Sequence, residues 1–178
     1  LRVNLRLDLR YFLGIGSNVD PERNVPRILE ALLDAAGRLV VSRVVRTPPV
    51  GPMEGGGDFL NLVVALDSPR PLAELRRSWQ EIEVQLGRDR SHPDRKRLSR
   101  PADIDLLFHL EENARQVAAA VLPTEGFLRP ALLDLLDHLR IEPLLKPPSD
   151  LGAAPPGVRL TVAGVAVGER PTTLERLH

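Results

Sequence analysis

The chain has 178 residues, 24 Lys plus Arg against 24 Asp plus Glu, 43% apolar residues and no Cys. That length predicts a single domain, the balanced charge excludes the strongly basic field of a general nucleic-acid binder, and the missing Cys excludes disulfides, thiolate metal centres and cysteine nucleophiles. No apolar run reaches the roughly 18 residues of a membrane span and no signal-peptide core opens the chain, so a cytoplasmic protein with no membrane partner is expected.

Residues 1–10 alternate apolar and charged side chains and read as an N-terminal extension. Residues 11–15 form an apolar run closed by Gly16, Ser17 and Asn18, the pattern of a buried strand entering a tight turn. Asp20 and Pro21 mark a helix start, with the Asp20 carboxylate as the expected cap. Ile28, Leu29, Leu32, Leu33 and Ala36 then carry a helix to its stop at Gly37. Strands are predicted over 39–45 and 59–66, separated by a loop over 47–58 too rich in Pro and Gly for regular structure. Pro71 opens a second helix with the stripe Leu72, Leu75, Trp79, Ile82 and Leu86, ending at Gly87. A polar, basic loop over 89–101 leads to strands at 102–108 and 117–122. Pro130 starts a helix carrying Leu132, Leu133, Leu136 and Leu139. A Pro-rich segment from about 146 to 178 is expected to add an edge hairpin at 158–167. The order strand, helix, strand, strand, helix, strand predicts an α+β split βαβ core, a mostly antiparallel sheet with both helices on one face, and one domain over 1–178.

The clearest chemical signal is Asp103-Ile104-Asp105. Alternate residues of a strand share a face, so the two carboxylates emerge about 6.5 to 7 Å apart at the backbone. Hard oxygen ligands so placed can bridge two magnesium ions roughly 4 Å apart; a strand with one solvated face has the same pattern. Upstream crowd Arg88, Arg90, Arg95, Lys96, Arg97 and Arg100. Guanidinium groups beside a carboxylate-held metal suit a polyphosphate, although charge runs also form solvated loops. No Lys follows Gly14-Ile15-Gly16-Ser17-Asn18, so a Walker-type glycine loop is absent and a nucleotide would be held by metal and Arg. Phe59 and Asn61 share a strand face, an apolar plate beside an amide, which suits a planar heterocycle or equally an Asn bonded to backbone. Gln80 and Glu83 lie one turn apart off the stripe of the second helix, and a solvated face explains them as well as a binding role does.

Taken together, Gly14 to Asn18, Arg46-Thr47-Pro48-Pro49-Val50-Gly51-Pro52, Asp58-Phe59-Leu60-Asn61, Gln80-Glu81-Ile82-Glu83 with Gly87-Arg88-Asp89-Arg90, and residues 100–108 resemble the 6-hydroxymethyl-7,8-dihydropterin pyrophosphokinase family over roughly 11–140. The resemblance implies a ferredoxin-like fold and transfer of pyrophosphate from MgATP to the pterin hydroxymethyl group, releasing AMP, in folate biosynthesis. It implies that Asp103 and Asp105 hold two Mg2+ ions, that Arg88, Arg90 and Arg100 face the phosphates, and that Gln80, Glu83 and Leu106 surround the nucleotide. It further implies that Thr47, Pro48, Val50, Phe59 and Asn61 bind the pterin. The expected protein is a monomer with ATP and the pterin as partners and no nucleic acid.

The chain departs from the family pattern at Arg97-Leu98-Ser99, where an aromatic and Gly-Pro are usual, and at Pro123-Thr124-Glu125. The downstream Arg-x-Phe is not plain at Arg129-Pro130-Ala131-Leu132, with Phe127 as a substitute. A weakened nucleotide- and pterin-binding homologue is the alternative, and a ferredoxin-like RNA-binding module a further one, disfavoured by zero net charge and few aromatics.

Overall fold

The computed structural model describes residues 8–50, 56–94, 97–123, 125–144 and 155–176. β1 (Leu9–Ser17) takes in the last two residues of the expected extension, and Arg10 grips Asp67 of the neighbouring strand at 2.7 and 2.8 Å. The rest of that extension, 1–7, lies outside the described residues.

α1 (Pro21–Ala36) starts where the Asp20-Pro21 pair predicts, but not by the predicted cap. Asp20 is left-handed, with φ 41°, and its side chain makes no capping bond. A capping carboxylate needs an extended backbone to reach the free N–H groups. Here the Asp20 carbonyl accepts the Arg23 and Asn24 N–H groups instead, each at 2.9 Å. At the far end Gly37, φ 78°, closes the helix by donating to Leu33 O at 2.7 Å, a conformation that costs glycine nothing.

The strand expected over 39–45 is two, β2 (Arg38–Val41) and β3 (Val45–Thr47). The break falls at buried Ser42, whose hydroxyl donates to Arg43 O at 2.7 Å and accepts the Val63 N–H at 2.8 Å. A side chain that takes over ladder bonds ends the strand. β4 (Phe59–Ser68), α2 (Leu72–Gln85) and β5 (Asp103–Glu111) follow as predicted in type and place. The strand expected at 117–122 shrinks to β6 (Gln116–Val117) and one 3₁₀ turn at Ala119–Val121, since its three consecutive alanines offer little to a pleated face. α3 (Arg129–His138) leads to β7 (Glu142–Pro143), which pairs parallel with β6.

The expected hairpin forms as β8 (Leu160–Val162) and β9 (Val165–Val167), turned by Ala163 and Gly164, both at positive φ. It is a separate two-stranded sheet packed on α1, and does not edge the main one. The edge position goes to β10 (Thr172–Glu175), which the sequence reading did not anticipate.

The main sheet runs β10-β2-β4-β1-β5, with β3 also on β4 and every pair antiparallel. α1 and α2 bury Ile28, Leu29, Leu32, Leu75 and Trp79 against Leu13, Ile15, Leu62 and Val64, on one face as predicted. α3 lies on the opposite face, over Phe12, Val63, Ala65 and Phe108, with the Phe12 and Phe108 rings stacked at 4.5 Å. Each large side chain so buried contributes roughly 1.5–3 kcal/mol. Continuing along the strands of that face, the side chains give way to Gly14 and Gly16, Asn61 and Phe59, Asp103 and Asp105. There the apolar cover stops.

Candidate active site

Where the apolar rows end, the sheet face opens into a cavity of about 520 Å³. Its floor is set by register: Gly16 on β1 pairs with Asn61 on β4 on one side and with Asp103 on β5 on the other. A Cβ on Gly16 would lie 2.9 Å from Asn61 Oδ1, 3.6 Å from the Phe59 ring and 3.9 Å from Asp103 Cβ. Glycine there leaves open the space that the three side chains surround. Between Phe12 and Leu13 the pairing of β1 with β5 slips by one residue, and beyond this bulge both Leu106 and Leu107 reach the cavity wall.

The apolar end is walled by Pro48, Val50, Phe59, Phe127 and Leu128. Asn61, almost buried, donates through Nδ2 to Thr47 Oγ1 at 2.8 Å, which fixes the amide with its oxygen on the Gly16 side. This end offers two aromatic residues, an oriented amide and the Thr47 hydroxyl, a set suited to a flat, hydrogen-bonding ring.

The charged end is built around Asp103 and Asp105. Asp103 is buried and accepts from Arg88 Nη1 at one oxygen and from Arg100 Nη1 at the other, the latter at 2.6 Å. Arg88 Nη1 also donates to Ala102 O at 2.9 Å. Arg100 lines the cavity, and its Nε is a buried donor without an acceptor among the described residues. The guanidinium of a cavity-lining Arg is a suitable partner for an anion. Asp105 is exposed on the cavity side, and its carboxyl is pushed above the usual 3.8, first by loss of water where the protein surrounds its other side and then by the Asp103 charge. The nearby Arg88 and Arg90 only partly offset this. Two carboxylates on one strand face, one with no ion-pair partner among the described residues, fit a hard divalent cation.

Of the residues singled out from sequence, Thr47, Pro48, Val50, Phe59, Asn61, Arg100, Asp103, Asp105 and Leu106 are brought together around this cavity. Arg88 stands behind it, on Asp103. Arg90 is held by Glu83, through Nε at 2.5 Å and Nη2 at 2.8 Å, and this raises its pKa. Gln80 is exposed on α2 and does not line the cavity. Glu83 is neither on a solvated face nor on the cavity wall: its side chain is 0% exposed. Arg95, Lys96 and Thr124 lie outside the described residues.

Four participants had little or no role in the sequence reading. Asn18 exchanges two bonds with Arg100, accepting its N–H at Oδ1 at 2.6 Å and donating its own N–H to Arg100 O at 3.0 Å. Asn18 O also takes the Gly57 N–H at 3.2 Å, so one residue of the turn after β1 ties both long loops. The signal was the Gly-Ser-Asn turn itself, placed just after a buried strand. Gly16 is legible only through sheet register. Glu125 and Phe127, two residues apart in the chain, both line the cavity.

A family model described as 7,8-dihydro-6-hydroxymethylpterin-pyrophosphokinase matches residues 12–136. Relatives from two strains of Porphyromonas gingivalis, each named 2-amino-4-hydroxy-6-hydroxymethyldihydropteridine pyrophosphokinase, are 38% identical over 100 residues. Those alignments cover 55% of this chain and 67% of each relative.

Proposed function

The chain belongs to the 7,8-dihydro-6-hydroxymethylpterin-pyrophosphokinase family, and from that premise we propose that its pyrophosphoryl transfer takes place in the cavity between Phe59 and Asp105. It is an ATP-dependent pyrophosphokinase that acts on hydroxymethyldihydropterin in folate synthesis. The observation that supports the site is the register of Asn61 and Asp103 on either side of Gly16, with the Asn61 amide and the charged end lining one open space.

In this reading the pterin ring lies between Phe59 and Phe127, its polar edge on Asn61 and Thr47, with Pro48 and Val50 at its margin. The ATP phosphates lie toward Arg88, Arg90 and Arg100, and the nucleoside toward Leu106 and the α2 residue Gln80. Asp103 and Asp105 would hold Mg2+, two ions in this reading, and the charge so supplied would offset that of the polyphosphate oxygens. Arg100 lines this space. As the hydroxymethyl oxygen bonds to the β-phosphorus, the bond from that phosphorus to the α,β-bridging oxygen breaks. AMP leaves with that oxygen and its electron pair, and the hydroxyl proton passes to water. The arginines stabilise the charge that develops on the transferring group, and the cavity supplies approach and orientation.

Among the described residues no helix is long and apolar enough to cross a membrane. With zero formal net charge, the reading is completed by a monomeric cytoplasmic enzyme that binds no nucleic acid. The test is one incubation with MgATP and 6-hydroxymethyl-7,8-dihydropterin. AMP and a diphosphorylated pterin are expected in equal amounts. ADP with a monophosphorylated pterin, or ATP hydrolysis independent of the pterin, overturns the mechanism.

A further inference from the structure

Glu83 is a charged residue with no exposed side-chain surface, and four donors converge on it. Its Oε1 accepts the Ile104 N–H at 2.8 Å, Arg90 Nη2 at 2.8 Å and Arg88 Nη1 at 3.4 Å, while Oε2 accepts Arg90 Nε at 2.5 Å. Ile104 sits between Asp103 and Asp105 on β5, which edges the sheet at the end opposite β10. One carboxylate at the end of α2 therefore bonds to the backbone of the strand that carries both aspartates and to two arginines of the segment just after the helix.

We propose that Glu83 is a positioning residue for transfer, holding the Arg88 and Arg90 guanidinium groups at a fixed distance from the Asp103–Asp105 strand. The proposal rests on the reading that those arginines face the phosphates. A buried ion pair is a poor source of stability compared with apolar packing, so fixed geometry is the better account of a carboxylate at this depth. Arg90 shows the geometry most directly. Glu83 takes its Nε and Nη2 edge in a forked pair, leaving the Nη1 group of a part-exposed side chain for a ligand. A guanidinium oriented beforehand loses no freedom at the moment charge develops. Bonding the same carboxylate to Ile104 N–H ties that orientation to the strand of the metal-binding pair.

The experiment is a double-mutant cycle on the full chain with Glu83→Gln, Arg90→Ala and the double variant, assayed by AMP release over a range of pterin concentrations, with folding checked by thermal unfolding. Glu83→Gln keeps the shape but sets an amide against a guanidinium. It is expected to lower kcat by about 10- to 100-fold with the pterin KM within about twofold, and that loss is expected to shrink at least about fivefold when Arg90 is already Ala. Glu83→Asp, which keeps the charge, is expected to recover part of kcat and is carried through the same cycle if the Gln variant does not fold. An equal loss in both Arg90 backgrounds, or full kcat in a folded Glu83→Gln, overturns the positioning role alone. Full kcat in Arg90→Ala overturns it together with the phosphate reading beneath it.

Discussion

Asn61 on β4 and Asp103 on β5 are both register partners of Gly16, and neighbouring strands set them about 10 Å apart across β1. The sheet thus measures the separation between the apolar end and the charged end of the cavity, and the residue between them leaves that space open by having no side chain. Gly16 has no left-handed backbone, so a larger residue there is resisted by space alone. Gly16→Ala would bring a Cβ to 2.9 Å from Asn61 Oδ1, forcing the amide off its Thr47 bond or off the ligand. The expected result is a pterin dissociation constant raised by roughly tenfold with thermal stability little changed, as read by calorimetry. Wild-type pterin affinity in Gly16→Ala would show that the ring does not bind at this row.

Asn61→Ala tests the same end from the other side. It removes an amide that is nearly buried and leaves both the ligand edge and Thr47 Oγ1 without a partner. Pterin binding should weaken by roughly 1 to 3 kcal/mol, with the ATP dissociation constant unchanged. A comparable loss in ATP affinity would place Asn61 in the nucleotide site instead.

Asp103 differs from its neighbour in being neutralised already. Asp103→Asn leaves Arg88 and Arg100 without their carboxylate in a part-buried setting, and so should destabilise the fold by about 1–3 kcal/mol as well as abolish transfer. For a chain of this size that corresponds to a fall in Tm of several degrees. A variant that melts like wild type would mean that the two guanidinium contacts contribute nothing to stability.

The residues proposed to carry this chemistry differ in how openly the sequence shows them. Asp103 and Asp105 are legible because a two-residue period on a strand has one geometric meaning, and Phe59 with Asn61 for the same reason. The helices are legible from their apolar stripes, of which α1's Ile28, Leu29 and Leu32 are the plainest, all fully or nearly buried. Glu83 is the opposite case: a carboxylate off an apolar stripe has the pattern of a solvated face, and only the two arginines and the Ile104 N–H, all more than one turn away along the chain, make its burial tolerable. The break at Ser42 was hidden likewise, since its partner Val63 lies on another strand. β10 joins the sheet through pairing with β2, a relation across more than a hundred residues that no local pattern encodes. Asp20 failed as a cap for a local reason, a left-handed backbone that its side chain does not announce.

Asp105 should show the reverse stability effect to Asp103, with a defined dependence on pH. Burial and the Asp103 charge raise its folded-state pKa above the ordinary 3.8, so the folded protein binds the proton more tightly than the unfolded chain does. Its favourable contribution is therefore complete below the ordinary value and is lost as pH rises through the raised one. At neutral pH the ionised side chain is a net cost, and Asp105→Asn, which keeps the shape and removes the charge, should melt higher than wild type without Mg2+. That advantage should fade as pH falls through the raised value toward 3.8. Added Mg2+ should narrow the gap at neutral pH by raising the Tm of wild type more than that of the variant, because a ligand stabilises only the form that binds it. Transfer should be lost in the variant at every pH. Paired thermal melts between pH 3.5 and 8, with and without Mg2+, measure all of these differences. A constant difference across pH would show that Asp105 carries no raised pKa, and an equal Mg2+ response in both proteins would remove it from the metal site.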